Sequence, residues 1–175
     1  MSESEDISPS ELQVEILRPS HDLSTFDCSL DDEMGLNEFI HEEALQYQKE
    51  NLGVTYLFFH RERIVGFVTL AMSQIETRET AFRLPLKVTI KNYPALLIGR
   101  LGTANDYRRR NVGKNICLWS VSTTKNLSRE VGCRLVVVMT NINKVEFYSH
   151  CGFELVPKCE KKDKKWMYLQ VPYEE

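Results

Sequence analysis

The sequence predicts a single α/β domain with the element order β-α-β-β-loop-β-α-β-α-β-β. Apolar residues recur at helical spacing in some segments and at strand spacing in others, and no repeat or linker divides the chain. The length of 175 residues is enough for one hydrophobic core. A hydrophobic fraction of 42% and a charged fraction of 27% are typical of soluble globular proteins. The net charge of −3 gives no overall basic signature of nucleic-acid binding, although cations cluster locally in the second half.

The first elements predicted are a tail, a strand and a helix. Residues 1–12 are rich in Ser and Glu and are expected to form a flexible acidic tail before a domain at 13–175. Alternation of Val14 and Ile16 with polar residues predicts a strand over 13–18. Apolar residues at intervals of three and four predict the helix, and these residues are Leu36, Phe39, Ile40, Ala44 and Tyr47.

A hairpin and a loop follow this helix, which is expected to end near Lys49. The β-branched and aromatic runs Val54–His60 and Ile64–Met72 are joined by Arg61-Glu62-Arg63, which predicts two strands and a short turn. Residues 73–91 are rich in Thr, Glu and Arg and are expected to form a loop with a short helical or extended insert.

The second half begins with another strand–helix–strand pattern. Ala95–Gly102 is an apolar run that predicts a buried strand. The next helix is expected to close at Gly132 and to have on one side Ile116, Trp119, Thr123, Leu127 and Val131. Arg134–Thr140 contains five consecutive apolar residues, so this strand is expected to be buried on both faces.

A short helix and two strands complete the predicted fold. Asn143 is expected to cap a helix that runs to His150, and Gly152 is expected to end it. The last two strands are predicted at 153–156 and 166–171. Lys158–Lys165 between them is a basic stretch that is either an exposed hairpin turn or part of a binding surface.

The cysteines and the N-terminus indicate the compartment. Five cysteines include no C-x-x-C pair and have no nearby histidine at zinc-site spacing, so buried reduced thiols and no metal site are expected. No apolar run is long enough to span a bilayer. The acidic start Met1–Asp6 is the reverse of a signal peptide. We therefore expect a cytoplasmic protein with no membrane partner.

A cationic turn before the second helix is the most informative segment. Arg108-Arg109-Arg110 and Lys114 lie where unpaired N–H groups and the helix dipole attract anions. Gly113 allows a ligand to approach the backbone closely, and Asn111 tolerates a left-handed conformation. A ligand with several phosphates suits this pattern, and a solvated basic turn is the alternative. The spacing excludes a P-loop and a G-x-G-x-x-G motif.

A second informative segment follows the buried strand. Asn141 comes first, then Phe147-Tyr148 on the short helix, then Cys151-Gly152-Phe153. This position allows Tyr148 to face a cleft beside the start of the preceding helix. The alternative is that Phe147 and Tyr148 are aromatic core residues.

Together these segments resemble the GNAT acyltransferases over residues 13–171. Leu97–Thr103 followed by Tyr107–Gly113 is similar to the family's central R/Q-x-x-G-x-G/A motif, which follows a strand and opens a helix. Asn111 stands where the family usually has its first glycine, and asparagine can hold a positive φ. Asn141–Phe153 is similar to the family's block of asparagine, Phe-Tyr and Gly-Phe.

The resemblance implies a GNAT-type domain with a mixed central sheet of about six or seven strands, splayed between its two central strands, and flanking helices. It implies acetyl-CoA as co-substrate, no metal, a pantetheine arm threaded between the central strands, and Tyr148 as general acid. The cofactor-binding residues that it implies are Leu101, Gly102, Thr103, Arg108, Arg109, Arg110, Asn111, Val112, Gly113, Lys114, Asn141 and Phe147.

A narrower resemblance is to the GNAT toxins of bacterial toxin–antitoxin pairs. Phe26-Asp27-Cys28, Leu36–Ile40 with Ala44, and Tyr93–Leu101 are similar to segments of those toxins. The chain departs at Gly102-Thr103-Ala104-Asn105, where the toxins usually have Ala-Val-Asp. These toxins acetylate the α-amine of aminoacyl-tRNA and pair with a small DNA-binding antitoxin. The resemblance therefore implies an antitoxin-like partner, and a homodimer is a further expectation.

The expected reaction is direct acetyl transfer to a primary amine on a peptide, a small amine or an aminoacyl-tRNA. An α-amine, with a pKa near 8, loses its proton more easily than a lysine amine near about 10.4, so it demands less of a general base. Glu76 and Glu79 are the candidates for such a base. Two alternatives are a GNAT-like module that binds coenzyme A or a partner without turnover, and an α/β protein that binds another phosphate ligand.

Overall fold

The computed structural model describes residues 5–77, 82–161 and 163–172. Its strands are β1 (Gln13–Ile16), β2 (Val54–His60), β3 (Arg63–Glu76), β4 (Asn92–Thr103), β5 (Leu135–Asn141), β6 (Glu154–Lys161) and β7 (Lys164–Gln170). Its α-helices are α1 (Leu36–Glu38), α2 (Ala44–Lys49), α3 (Val112–Leu127) and α4 (Val145–His150). A π-helical segment, Phe39–Glu43, joins α1 to α2, and 3-10 turns lie at Pro9–Glu11, Asn105–Tyr107 and Ile142–Lys144.

The strands form a seven-stranded mixed sheet in the order β1-β2-β3-β4-β5-β7-β6, which confirms the predicted fold class. The pairs β1–β2, β2–β3, β5–β7 and β6–β7 are antiparallel. β4 and β5 are parallel from Ala95↔Leu135 to Ile98↔Val138, and both strands continue beyond this register. The predicted hairpin is also confirmed, and its turn residues Arg61 and Glu62 have φ values of 47° and 66°. Two consecutive positive φ angles match the twist of a two-residue hairpin.

The chain divides into two compact units, of which the first comprises residues 1–71 and 99–119 and the second comprises 72–98 and 120–175. The first unit has an aromatic core on β3. Phe39 stacks on Phe67 at a centroid distance of 6.4 Å, and Phe26 contacts Phe67 edge-on at 5.9 Å. Phe39 and Ala44 are buried, as their helical spacing predicts. The π-helical segment Phe39–Glu43 was not predicted, because apolar residues there keep the three- and four-residue spacing of an ordinary α-helix.

The second unit has its own hydrophobic core. It comprises Ile75, Phe82, Tyr93, Ala95, Leu135, Val137, Val156 and Tyr168. The residues from Leu135 to Val138 are all buried, which confirms that β5 is covered on both faces. The loop expected over 73–91 begins later than predicted, because β3 continues to Glu76. Leu84 in this loop packs on the core, and its N–H donates to Tyr93 Oη at 2.8 Å.

Two predicted helix boundaries are wrong. Helix α3 ends at Leu127 rather than at Gly132, and Val131 is 53% exposed instead of lying on the apolar face. Ser128 explains the early end, since its Oγ donates to Lys125 O at 2.7 Å and so competes with the helical backbone. Asn143 is not the cap of the short helix, because it lies inside the 3-10 turn that precedes α4.

The basic stretch Lys158–Lys165 is not mainly a turn. β6 continues to Lys161 and β7 begins at Lys164. The antiparallel register pairs Lys161 with Lys164 and Glu160 with Lys165, so pairing with the neighbouring strand extends through the polar sequence. Backbone hydrogen bonds therefore determine this segment more strongly than its charge does.

Four of the five cysteines, Cys28, Cys117, Cys133 and Cys151, are buried as expected. Burial, together with the nearby carboxylates of Asp32 and Asp27, raises the pKa of the Cys28 thiol to about 12. Over the described ranges, no group of three or more His, Cys, Asp or Glu side chains is arranged to hold a metal ion. No helix in the same ranges has the length and apolar character of a membrane span.

Candidate active site

The end of β4 contains a closely packed glycine, Gly102. Leu101 and Thr103 are half-buried, and Gly102 between them is buried. A Cβ atom on Gly102 would lie 2.6 Å from Cε1 of Phe67, so any side chain there would require the ring to move. This contact disfavours any residue with a side chain at position 102.

The turn after β4 has alternating backbone conformations. Arg108 is extended with a φ of −65°, whereas Arg109 and Asn111 have φ values of 60° and 62°. The predicted left-handed conformation of Asn111 is therefore confirmed. The turn is therefore tight, with a left-handed residue on each side of Arg110.

Helix α3 adds further unpaired donors to this turn. Its first hydrogen bond runs from the Asn115 N–H to Asn111 O at 2.9 Å. The N–H groups of Val112, Gly113 and Lys114 precede this bond in the first helical turn, where an α-helix offers them no acceptor. Unpaired N–H groups and the positive end of a helix dipole attract anions, which is the basis of the predicted phosphate site.

The four cations around this site have different surroundings. Arg108 Nη1 donates to Asp31 Oδ2 at 3.0 Å, forming an ion pair that is largely exposed. The Arg110 guanidinium lies over the ring of Tyr107 at 4.9 Å. Arg109 and Lys114 are exposed. A screened ion pair of this type contributes little to stability, so breaking it costs little free energy.

The N-terminal segment holds the turn in place. The Ile7 N–H donates to Arg110 O at 3.0 Å, and Asn115 Nδ2 donates to Ile7 O at 2.7 Å. Arg110 Nε also donates to Glu5 O at 3.0 Å. Ile7 is only 3% exposed, so this residue of the expected tail is packed against the turn. The signal in the sequence was Ile7 itself, an apolar residue within an otherwise polar segment.

In the second unit, Tyr148 lies among aromatic rings. It is 7% exposed, and its ring contacts Phe147 at 4.9 Å and Phe153 at 5.7 Å between centroids. Asn141 is the last residue of β5 and is paired in register with Lys164. This packing matches the alternative stated above, an aromatic core position, and a cleft facing Tyr148 stays a prediction.

A C-terminal capping motif holds the Tyr148 helix. Gly152 has a φ of 91°, and its N–H donates to Ser149 O at 3.0 Å. The Phe153 N–H donates to Tyr148 O at 3.0 Å. These two bonds are the pair that defines a Schellman motif, and the Phe153–Tyr148 contact is its usual apolar companion. The predicted end of the helix at Gly152 is confirmed.

Sequence comparison identifies the family. The sequence model of the acetyltransferase (GNAT) family matches residues 22–153, a range that includes the turn and the Tyr148 helix. The chain belongs to the GNAT acetyltransferase family. No curated protein sequence shows significant similarity to it.

Solved structures share the fold of this GNAT protein. AtaT complexed with acetyl-methionyl-tRNAfMet has a TM-score of 0.76 at 23% identity, over 91% of this chain and 94% of that chain. A mutant AtaT toxin bound to acetyl-CoA and to the C-terminus of the antitoxin AtaR has a TM-score of 0.71 at 21% identity, over 91% and 93%. A mutant of KacT has a TM-score of 0.76 at 22% identity, over 92% and 95%. The narrower resemblance seen in the sequence is thus confirmed at the level of fold.

The residues predicted for this GNAT protein fall into two sets. The first unit brings together Leu101, Gly102, Thr103, Arg108, Arg109, Arg110, Asn111, Val112, Gly113 and Lys114, and the second contains Asn141, Phe147 and Tyr148. Of the candidate bases, Glu76 is the exposed last residue of β3, and Glu79 lies outside the described residues. Sequence reasoning missed Phe67, Ile7 and Asn115, because their roles depend on contacts with residues far away in the chain.

Proposed function

We propose that this GNAT protein transfers the acetyl group of acetyl-CoA directly to a primary amine, namely the α-amine of an aminoacyl-tRNA or of a peptide. The observation that carries this proposal is the backbone-built anion site at residues 108–114, with Asn111 at a φ of 62°. Such a site suits the phosphates of coenzyme A, because its donors are oriented before the ligand arrives.

The cofactor would extend from this turn along the end of β4. Backbone N–H and C=O groups of Leu101 and Thr103 would pair with the amides of the pantetheine arm, so their side chains matter little. Gly102 supports this role, since its close contact with Phe67 holds the strand in place. Asn141 and Phe147 are proposed as further cofactor contacts from the second unit.

In the proposed reaction the neutral amine nitrogen attacks the thioester carbonyl carbon. Backbone N–H groups at the end of β4 would stabilise the oxyanion that forms. The C–S bond then breaks, and Tyr148 gives its phenolic proton to the departing thiolate. The amine loses one proton as the amide forms, and proton exchange with solvent restores Tyr148. An α-amine reaches its neutral form more easily than a lysine amine, which favours this class of acceptor.

The choice of aminoacyl-tRNA rests on relatives. One solved structure with a TM-score of 0.76 is AtaT complexed with acetyl-methionyl-tRNAfMet, and another is a mutant AtaT toxin bound to acetyl-CoA and to the C-terminus of the antitoxin AtaR. We extend the tRNA acceptor, and an antitoxin-like protein partner, to this chain. The homodimer stays a prediction of the sequence.

The test incubates purified protein and acetyl-CoA with bulk aminoacyl-tRNA or with a peptide library and measures the thiol released. Each acceptor is assayed at two salt concentrations. With tRNA as acceptor, affinity should fall steeply as salt rises, because phosphate contacts release counterions. A peptide acceptor would give a much gentler slope. Binding of acetyl-CoA in a calorimeter without thiol release would show a non-catalytic module. Strong turnover of an aminoglycoside, with none on either α-amine pool, would contradict the proposed acceptor.

A further inference from the structure

Arg100 is a half-buried cation in the middle of β4. Its guanidinium carbon lies 5.0 Å from the centre of the Phe39 ring, in a cation–π contact. Its Nη1 donates to the carbonyl of the neighbouring residue Gly99 at 2.8 Å. The side chain is therefore oriented by an aromatic ring and by its own strand, rather than by an acidic partner.

The charge on Arg100 has no counter-ion among the described residues. The ion pairs of His21, His60, Arg63 and Arg108 do not include it. Arg100 Nε is buried without a hydrogen-bond partner in the described part of the protein. A buried donor without an acceptor destabilises a fold, so the position of Arg100 calls for a role other than stability.

Arg134 in the second unit provides a contrast. It is also half-buried, and its Nε also has no partner among the described residues. However, Arg134 Nη2 donates to Gln170 Oε1 at 2.7 Å, and Nη1 donates to Val171 O at 3.3 Å. These bonds connect the residue before β5 to the end of β7. The hydrogen bonds of Arg134 explain its position, whereas the single bond of Arg100 does not.

Aromatic stacking connects Arg100 to the end of β4. Phe39 lies between the Arg100 guanidinium and the ring of Phe67, and Phe67 in turn lies against Gly102. Arg100 and Gly102 are two residues apart in one strand, so they face the same side of it. Phe39 opens the π-helical segment, a deviation that is frequent at functional sites. The guanidinium is thus held on the face of β4 that Arg100 shares with Gly102, one residue before Leu101 in the strand.

We infer that Arg100 is a specificity-determining residue that binds a phosphate of the RNA acceptor next to its acylated nucleotide, an inference that rests on the proposed function. Guanidinium groups bind phosphate oxygens through pairs of N–H donors, and Arg100 has donors to spare. In a charged tRNA, the phosphate next to the terminal nucleotide lies a constant number of bonds from the α-amine. In a peptide, the C-terminal carboxylate lies at a variable distance. A single cation held rigidly in β4 therefore suits the nucleotide acceptor.

The experiment compares Arg100→Gln, Arg100→Lys and the control Arg134→Gln in the full-length protein, with bulk aminoacyl-tRNA as acceptor. We expect Arg100→Gln to raise the acceptor KM at least tenfold, with kcat at saturation and the Kd of acetyl-CoA within twofold of the parent. The slope of log affinity against log salt should become shallower by about one, the effect of one lost phosphate contact. Arg100→Lys keeps the charge and should recover part of the KM, and Arg134→Gln should leave both KM and slope unchanged.

The outcomes separate this inference from the proposed function. If the parent acetylates aminoacyl-tRNA and Arg100→Gln changes neither KM nor salt slope, the role of Arg100 is wrong and the proposed function stands. An equal rise in KM for Arg134→Gln would show a general loss of structure and would also overturn the role. If the parent acetylates peptides alone, or neither pool, the inference fails together with the acceptor on which it rests.

Discussion

The Tyr148 helix and the Arg108–Lys114 turn are held in place in different ways. Helix α4 is closed by hydrogen bonds from Gly152 and Phe153 to carbonyls within the same short segment. The turn is held by Ile7, whose N–H donates to Arg110 O and whose carbonyl accepts from Asn115 Nδ2 just after the turn. Arg108 in the turn also pairs with Asp31. The hydrogen bonds that close helix α4 are local in the sequence, whereas those that hold the turn join residues up to 108 positions apart.

This difference bears on the two contributions to catalysis that we propose. In the proposed reaction Tyr148 would act through one hydroxyl group, and its helix is closed by hydrogen bonds within its own segment. A backbone anion site acts through several N–H groups at once, and it works only while every one of them keeps its orientation. We therefore expect changes at Tyr148 to affect turnover, and changes around the turn to affect cofactor affinity.

The largest effect is expected for Tyr148→Phe, which keeps the ring and its contacts with Phe147 and Phe153 but removes the hydroxyl. Loss of a general acid should lower kcat roughly 10²-fold, while the Kd of acetyl-CoA changes little. Single-turnover kinetics combined with calorimetry would measure both quantities. An unchanged kcat would reduce Tyr148 to an aromatic packing residue.

Gly113→Val tests the Arg108–Lys114 turn and should weaken the binding of acetyl-CoA. A β-branched side chain in the first turn of α3 would keep phosphates away from the backbone donors. We expect the Kd of acetyl-CoA to rise at least tenfold, equivalent to about 1.4 kcal/mol. Circular dichroism must show that the variant is folded. A folded variant that binds acetyl-CoA as tightly as the parent would mean that the phosphates bind elsewhere.

Asn115→Ala tests whether the N-terminal segment holds the turn. The substitution leaves the buried carbonyl of Ile7 without its side-chain donor, at a cost of about 1 kcal/mol. If part of this cost is passed to the turn, acetyl-CoA should bind about threefold to fivefold more weakly. Asn126→Ala, at an exposed position of the same helix, is the matched control. Equal acetyl-CoA affinities for the two variants would show that the N-terminal segment does not contribute to cofactor binding.

Gly152→Ala should have the smallest effect on function. Its φ of 91° is strained for alanine, so we expect the free energy of unfolding to fall by about 1 kcal/mol. Urea denaturation would measure this change, and the Kd of acetyl-CoA should stay the same. Gly132→Ala is the control, because an added Cβ there meets nothing within 4 Å. A large loss of acetyl-CoA affinity in Gly152→Ala would contradict the separation between the helix and the turn.

Features set by neighbouring residues were predictable from the sequence. The order of strands and helices, the hairpin between β2 and β3, the left-handed Asn111 and the stop at Gly152 all follow from short-range spacing or backbone preference. Local patterns succeed here because periodicity and φ preference act within a few residues of each other. The errors also occurred at local features, since Ser128 and the β6–β7 pairing overrode the expected ends of elements.

Only the tertiary structure decided what lies around the anion site and beside β4. Ile7 looked like part of a tail until its hydrogen bonds to the turn were seen, and Gly102 looked like a variant motif residue until Phe67 was seen against it. Arg100 lies within the apolar run Ala95–Gly102, and its place over Phe39 depends on a helical segment about sixty positions earlier in the chain. These contacts join segments whose separation in sequence carries no periodic signal, so packing alone determines them.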